Sequence, residues 1–217
     1  MRFLRQHIEV MNVMGVKQRQ RRLPRSPEEK GQMDTIANDF TINIATANGT
    51  GSQSANLILL QSLFDMGVPV SGKNLFPSNI SGLPTWYIDR LSDRGYQAPG
   101  DRTHIQILVN KATWEEDLAA LEPGSVVVWN MDSKMPVERE DIISYPVPMT
   151  KLARSLNPKL SKLVTNIVYV GVLAELLGIT DEALNKAVAG QFKGKTSAIE
   201  LNINCLLYTS PSPRDSS

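Results

Sequence analysis

Cysteine is almost absent: the 217 residues hold one, Cys205, close to the C-terminal end. A single thiol makes no disulfide within the chain and no cysteine metal cluster. Up to Asn204 there is no cysteine at all, which removes a cysteine nucleophile and is compatible with a cytoplasmic setting. Histidine is equally scarce. His7 and His104 stand far apart, so His104, just ahead of an apolar run, reads as a loop or strand-end residue rather than a ligand or catalytic base. Long hydrophobic runs are missing as well. Arg5, His7 and Glu9 interrupt MRFLRQHIEVMNVMGV, which therefore lacks the continuous apolar centre of a secretory signal. Leu160 to Leu177 is apolar on most faces but broken by Asn166 and Glu175, which reads as a buried helix and not a membrane span. No internal repeat is present.

What is there is an ordinary globular composition, long enough for one α/β domain with a sizeable core. The net charge of +1 hides an asymmetry. Met1 to Met33 carry eight Lys/Arg against three Asp/Glu, whereas Asp34 to Asn204 carry fourteen against eighteen. Residues 1–38 thus form a basic, proline-bearing leader without periodicity, expected to be disordered. It can be read as a nucleic-acid or membrane-surface arm, a targeting segment, or sequence upstream of a true start at Met33. The last is favoured, because the arm lacks the aromatic or structural company of a nucleic-acid site. Neither nucleic acid nor membrane is expected as a partner. At the other end, residues 205–217, CLLYTSPSPRDSS, share neither period nor composition with what precedes them. CLLYTSPSPRD resembles the translation of a common sequencing-adapter oligonucleotide, so this tail is expected to be disordered and an assembly artefact; a genuine disordered C-terminus is the other reading.

The most informative stretch is TINIATANGTGSQSANLILLQSLFDM, from Thr41 to Met66. Ile42 and Ile44 alternate within a run of strand length, and from Ser54 onward Leu57, Ile58, Leu60, Leu63 and Phe64 recur at helical spacing. Between them Asn48, Gly49 and Gly51 supply a turn whose amides can converge on an anion without a Cβ in the way. The turn delivers that anion to a helix N-terminus, where the dipole favours negative charge. A dinucleotide fingerprint asks for a third glycine where Ser54 stands, and for an acid after the second strand, where Ser71, Gly72 and Lys73 stand. Lysine there prefers phosphate to a ribose hydroxyl, which argues against a stand-alone NAD-dependent enzyme. Two readings remain open, a phosphate or nucleotide site and a tight turn with no ligand.

After Gly67 the pattern predicts a short strand over Val68 to Ser71, then a polar loop, GKNLFPSNISGLP, from Gly72 to Pro84. That loop reads as a site loop, with Lys73, Asn74, Ser78 and Asn79 as candidate contacts, or as an ordered surface loop. Thr85 to Leu91 alternates and is expected to pair with a strand near Tyr96 in a hairpin. Further strands are predicted over Ile105 to Asn110, Ser125 to Asn130 and Ile142 to Val147, with helices over Ala112 to Leu121, Leu160 to Leu177 and, last, Glu182 to Ala189. Thr113 and Thr180 or Asp181 are the expected N-caps, and Asp132 is a candidate site residue by its place after a strand. The fold class is α/β: a Rossmann-like three-layer domain with a mostly parallel sheet and helices on both faces.

Residues 39–204 resemble the gamma domain of the 2-oxoacid:ferredoxin oxidoreductases, and most closely the N-terminal part of the alpha subunit of the 2-oxoglutarate type. The likeness lies in NGTGSQSA at Asn48 to Ala55, PVSGKNLFPSNISGLPTWY at Pro69 to Tyr87, and the later EPG, NIVYVGVLAELLGI and FKGK segments. The resemblance implies a complex that decarboxylates a 2-oxoacid, 2-oxoglutarate rather than pyruvate. It uses thiamine diphosphate, passes electrons through iron–sulfur clusters to ferredoxin and hands the acyl group to coenzyme A. It also implies that the thiamine-binding beta subunit and the remainder of the alpha subunit are partners, and that the thiamine diphosphate and clusters lie in the rest of the complex. This domain would serve coenzyme A handling and assembly, carry no catalytic or metal-ligating residue, and be inactive alone. On that reading Gly49, Gly51, Ser52, Gln53 and Ser54 give backbone and hydroxyl contacts to coenzyme A, and Lys73, Asn74 and Asn79 contact phosphate or a substrate-side carboxylate. The alternative is a stand-alone nucleotide-binding module or a purely structural gamma-like subunit.

Overall fold

The computed structural model describes residues 39–77, 80–98 and 100–209, apart from the side chains of 205 and 207–209. The basic leader, Ser78, Asn79 and the end of the tail therefore lie outside the described residues.

Strand β1 (Asp39–Ala47) shows the predicted alternation: Phe40, Ile42 and Ile44 enter one apolar cluster and Ala45 another, on opposite faces. Helix α1 (Ser52–Asp65) follows the glycine turn and buries Ala55, Ile58, Leu59 and Leu63. It ends where Gly67 takes a φ of 78° and the N–H groups of Gly67 and Val68 bond the carbonyls of Phe64 and Leu63 at 2.9 and 3.1 Å.

The next two strands differ from expectation. β2 runs over Val70–Leu75, so Gly72, Lys73 and Asn74 belong to a strand and not to a loop. It stands at the sheet edge, where polar residues and glycine are tolerated because one flank is unpaired. β3 (Pro84–Ser92) pairs antiparallel with β2 on one side and β1 on the other, and no strand forms near Tyr96 among the described residues. The hairpin partner is thus the preceding strand, joined through the segment from Phe76 to Leu83, and the Ser92 to Gly95 turn closes no hairpin.

β4 (Ile105–Leu108), α2 (Trp114–Ala119), β5 (Val126–Asn130) and β6 (Ile143–Val147) follow, with a 3₁₀ turn at Met131–Ser133. Four helices complete the domain: α3 (Met149–Leu156), α4 (Ser161–Leu177), α5 (Asp181–Gln191) and α6 (Thr196–Thr209). Thr180 caps α5, its hydroxyl accepting the Ala183 N–H at 3.3 Å, whereas Thr113 precedes α2 without a side-chain capping bond. The predicted last helix is followed by α6, which continues past Asn204 to Thr209.

The six strands lie in the order β2-β3-β1-β4-β5-β6, with β1, β4, β5 and β6 mutually parallel. This is the expected α/β, Rossmann-like sheet with helices on both faces, but the two layers are unequal. One face packs α1, α3, α4, α5 and α6 around Ile42, Ile44, Ile107 and Val128. The other has the six-residue α2 and three tryptophans, Trp86, Trp114 and Trp129. Each indole N–H there finds an acceptor: Asp117 Oδ1 at 2.8 Å, the Pro136 carbonyl at 2.9 Å and Ser144 Oγ at 2.8 Å. Bulky amphipathic rings with a satisfied polar edge thereby help to cover a sheet face that carries one short helix. No single described helix is long and apolar enough to cross a membrane; α3 and α4 together match one in composition but are bent by 118°.

Candidate functional site

The glycine turn sits at the carboxyl end of β1, where the sheet order departs to β3 and β2 on one side and to β4 on the other. Ligands of open α/β sheets collect at such crevices. Gly49 and Gly51 have φ of 78° and 82°, the left-handed region that a side chain disfavours. Neighbouring side chains also crowd both positions. A Cβ on Gly49 would lie 2.7 Å from Ser81 Oγ, and one on Gly51 3.0 Å from Leu163 Cδ2.

Polar groups clamp the turn. Thr50 Oγ1 donates to the Ala47 carbonyl at 2.7 Å, and Asn166 of α4 donates from Nδ2 to the Thr50 carbonyl at 2.7 Å and to its Oγ1 at 3.2 Å. Opposite, the Asn48 N–H bonds the Leu83 carbonyl at 2.8 Å and the Gly82 N–H bonds the Asn48 carbonyl at 2.9 Å. Gly51 fills the N-cap of α1 without a side-chain cap, so the first-turn amides of Ser52, Gln53 and Ser54 precede the helical ladder. That is the geometry of an anion-binding helix start.

Among the described residues, cavities lie on both flanks of the first half of α1, and the candidate residues divide between them. The wider, about 560 Å³, lies between α1, α4 and α6; Gly51 and Ser54 line it with Leu160, Leu163, Phe192 and Leu201. Ser54 Oγ also accepts from Gln191 Nε2 at 3.2 Å. The narrower, about 120 Å³, lies between α1 and the β2–β3 hairpin and is lined by Gln53, Asn56, Lys73, Asn74, Tyr87 and Asp89, among others. Gly49 belongs to the turn itself, Ser52 is buried, and Asn79 lies outside the described residues. The register pairs Gly72 with Asp89, Asn74 with Tyr87 and Lys73 with Ile88. Alternate strand residues point to opposite faces, so Gly72 and Asn74 look toward α1 and the Lys73 side chain leaves on the other side. Asn74 Oδ1 is already engaged, accepting the Thr85 hydroxyl at 3.1 Å.

The sequence reading missed Asp89, Asn56 and Asn166. Asp89 is 1% exposed, and desolvation raises its pKa to about 8. Its only sequence signal is an acid at an inward position of the alternating strand that runs Thr85, Tyr87, Asp89, Leu91. Gly72 faces it across the pair; a Cβ there would lie 2.5 Å from Leu60 Cδ1 and 3.1 Å from Asp89 Oδ1. Asn56, in α1, accepts the Tyr169 hydroxyl at 3.1 Å on Oδ1.

Other candidates have structural roles. His104 Nδ1 accepts the Thr41 N–H at 3.1 Å, and burial with the nearby Arg102 and Arg90 charges holds its pKa below the usual value. Asp132 Oδ2 accepts the Lys151 N–H at 2.8 Å in the first turn of α3. Among the described residues no group of three or more His, Cys, Asp or Glu could hold a metal ion.

The sequence model of the family described as pyruvate ferredoxin/flavodoxin oxidoreductase matches residues 41–209. The chain belongs to this family. Among solved structures, the 2-oxoglutarate:ferredoxin oxidoreductase from Magnetococcus marinus, with 2-oxoglutarate, coenzyme A and succinyl-CoA bound, is 25% identical with a TM-score of 0.69. That similarity covers 79% of this chain and 30% of the other, so the chain spans under a third of that relative. A pyruvate oxidoreductase subunit from Thermotoga maritima and a keto/oxoacid ferredoxin oxidoreductase gamma subunit from Geobacter sulfurreducens share the fold at TM-scores of 0.60 and 0.62. Both are 17% identical, over 79% and 78% of this chain and 94% and 95% of theirs. No curated protein sequence matches the chain. The chain is thus a pyruvate ferredoxin/flavodoxin oxidoreductase family domain with the fold of the gamma-type subunit.

Proposed function

We propose that this oxidoreductase-family domain binds coenzyme A for the acyl-transfer end of a 2-oxoacid:ferredoxin oxidoreductase, with 2-oxoglutarate as the oxoacid. The observation that carries the reading is the open start of α1: two left-handed glycines, no side-chain cap, and three first-turn residues, Ser52, Gln53 and Ser54, beside a cavity on either flank. Coenzyme A is an anionic, phosphate-bearing nucleotide, which such a helix start favours without the acid that NAD requires. Gly49 and Gly51 let the backbone approach the phosphates, Asn74 lies at the same end of the sheet, and Asn79 is assigned to the same contacts by the family resemblance. Lys73, exposed on the edge strand, supplies charge to a phosphate or to a substrate-side carboxylate rather than from within the narrow cavity.

Decarboxylation and electron transfer belong to partners: a thiamine-diphosphate-binding beta subunit, iron–sulfur clusters outside this chain, and ferredoxin as acceptor, all in the cytoplasm. Residues 39–204 would form the native part of the domain, with 205–217 derived from an adapter; resequencing the genomic frame across Asn204 tests that boundary. Assembly is the second role, favoured by the exposed side chains of Leu75, Phe76 and Ile80 beside the glycine turn. Reconstitution with the partner subunits tests the function. Succinyl-CoA formation from 2-oxoglutarate that depends on this domain is expected; equal turnover without it, or turnover of pyruvate alone, overturns the reading.

A further inference from the structure

The floor of the narrow cavity holds two polar atoms with no hydrogen-bond partner among the described residues, Oδ2 of Asp89 and Nδ2 of Asn56. Both residues are 1% exposed. An unpaired buried polar group costs about 1–3 kcal/mol, and more when it is charged. An apolar residue at position 89 would avoid that cost, so the fold alone gives no reason for the carboxyl. Both groups are also held in place. The Tyr169 hydroxyl binds Asn56 Oδ1 and fixes which end of the amide is free, and Gly72 leaves Asp89 a space that a Cβ would narrow. Above this buried floor the rim is exposed at Gln53, Leu57, Gly72 and Lys73, which opens the cavity to the surface.

The chemistry of the pair selects its guest. A cation would meet the N–H donors of Asn56. An anion would meet an acidic group and no positive side chain, since strand alternation turns Lys73 to the opposite face. An apolar group would leave both atoms unpaired. A secondary amide, whose N–H and C=O point to opposite sides of a planar trans unit, offers one partner to each atom when it lies between α1 and the hairpin.

We propose that the cavity between α1 and the β2–β3 hairpin is a subsite for a secondary amide of an extended ligand, held by Asp89 and Asn56. The amide N–H donates to the Asp89 carboxyl, and Asn56 Nδ2 donates to the amide carbonyl. A protonated Asp89 keeps a carbonyl oxygen that accepts the amide N–H, so the recognition survives a change of charge. This inference rests on the coenzyme A reading and deepens it. The pantetheine arm carries two secondary amides, and Gln53 places the cavity beside the first turn of α1 where the phosphates are assigned.

The test is calorimetric titration of the full 217-residue chain with coenzyme A, with pantetheine, and with the adenosine bisphosphate portion alone, for wild type and Asp89→Leu. Expected for Asp89→Leu is an affinity for coenzyme A and pantetheine weakened about tenfold, unchanged affinity for the adenosine bisphosphate portion, and a raised Tm. A purely structural Asp89 predicts a lowered Tm instead. Equal coenzyme A affinity in both proteins, or a parallel loss of coenzyme A and adenosine bisphosphate binding, overturns the subsite and leaves the coenzyme A reading intact. Wild type that binds none of the three overturns both. Should Asp89→Leu not fold, the ligand carries the same test. A pantetheine analogue with both amide N–H groups replaced by ester oxygens should bind wild type about tenfold more weakly, and equal affinity overturns the proposal.

Discussion

The two flanks of α1 are built on opposite principles. Toward α4 and α6 the helix faces a wide, largely apolar cavity, and two side-chain amides tie its start on that side: Asn166 donates to Thr50, and Gln191 to Ser54. Toward β2 and β3 it faces a small cavity whose floor holds Asp89 Oδ2 and Asn56 Nδ2, each without a partner among the described residues. Polar groups satisfied internally hold a scaffold together, whereas buried ones without a partner call for an explanation. The glycine turn joins the two, so its conformation controls both.

The largest difference between the flanks is expected in their response to pH. Burial raises the Asp89 pKa from 3.8 to about 8, so the native chain keeps a proton that the unfolded chain releases. The associated stability is fully present below the lower value and is lost as pH rises toward the upper one. The slope approaches about 1.4 kcal/mol per pH unit. Chemical denaturation of wild type between those limits should show stability falling with pH, and Asp89→Leu should flatten the profile. An identical slope in both proteins would place the proton elsewhere.

Next in size is Gly51→Val. A β-branched residue at a φ of 82° and 3.0 Å from Leu163 Cδ2 strains the turn by an amount on the order of 1–3 kcal/mol. Thermal denaturation should show the loss, and coenzyme A binding should disappear in the folded fraction. On the scaffold flank, Asn166→Leu removes the donor to the Thr50 carbonyl and should cost about 1–3 kcal/mol in urea denaturation. It should weaken binding only through the turn, with no preference between pantetheine and the adenosine bisphosphate portion. The smallest effect belongs to Lys73→Ala. The residue is exposed, so stability should change by less than about 0.5 kcal/mol. Coenzyme A affinity should fall a few-fold and lose part of its salt dependence. A variant with wild-type affinity at every salt concentration would remove Lys73 from the site.

Much of this architecture was legible in the chain because it is written in local patterns. Ile42 and Ile44 alternate, Leu57, Leu60, Leu63 and Phe64 recur at helical spacing, and Gly51 and Gly67 bracket α1, so β1, the turn and the helix follow from short-range rules; which of those side chains face the core does not, since Leu57 and Phe64 are exposed. Gly72 to Leu75 was misread for a physical reason. An edge strand with one flank open tolerates Gly, Lys and Asn, and its identity as a strand comes from pairing with β3. The same long-range pairing decides the partner of Thr85 to Leu91. For the candidate site, the helix start was readable, but its division into two cavities was not. Asp89 becomes conspicuous only when β3 lies against α1 and no cation arrives beside it. Asn166 becomes conspicuous only when α4 folds back onto Thr50.

The most direct measurement is a coenzyme A titration of the folded 217-residue chain by calorimetry, run in parallel on wild type and Gly51→Val. Saturable binding by wild type, absent from a folded Gly51→Val, is the predicted result. Absence of heat with wild type, or equal binding by both proteins, would contradict the assignment of coenzyme A to the start of α1.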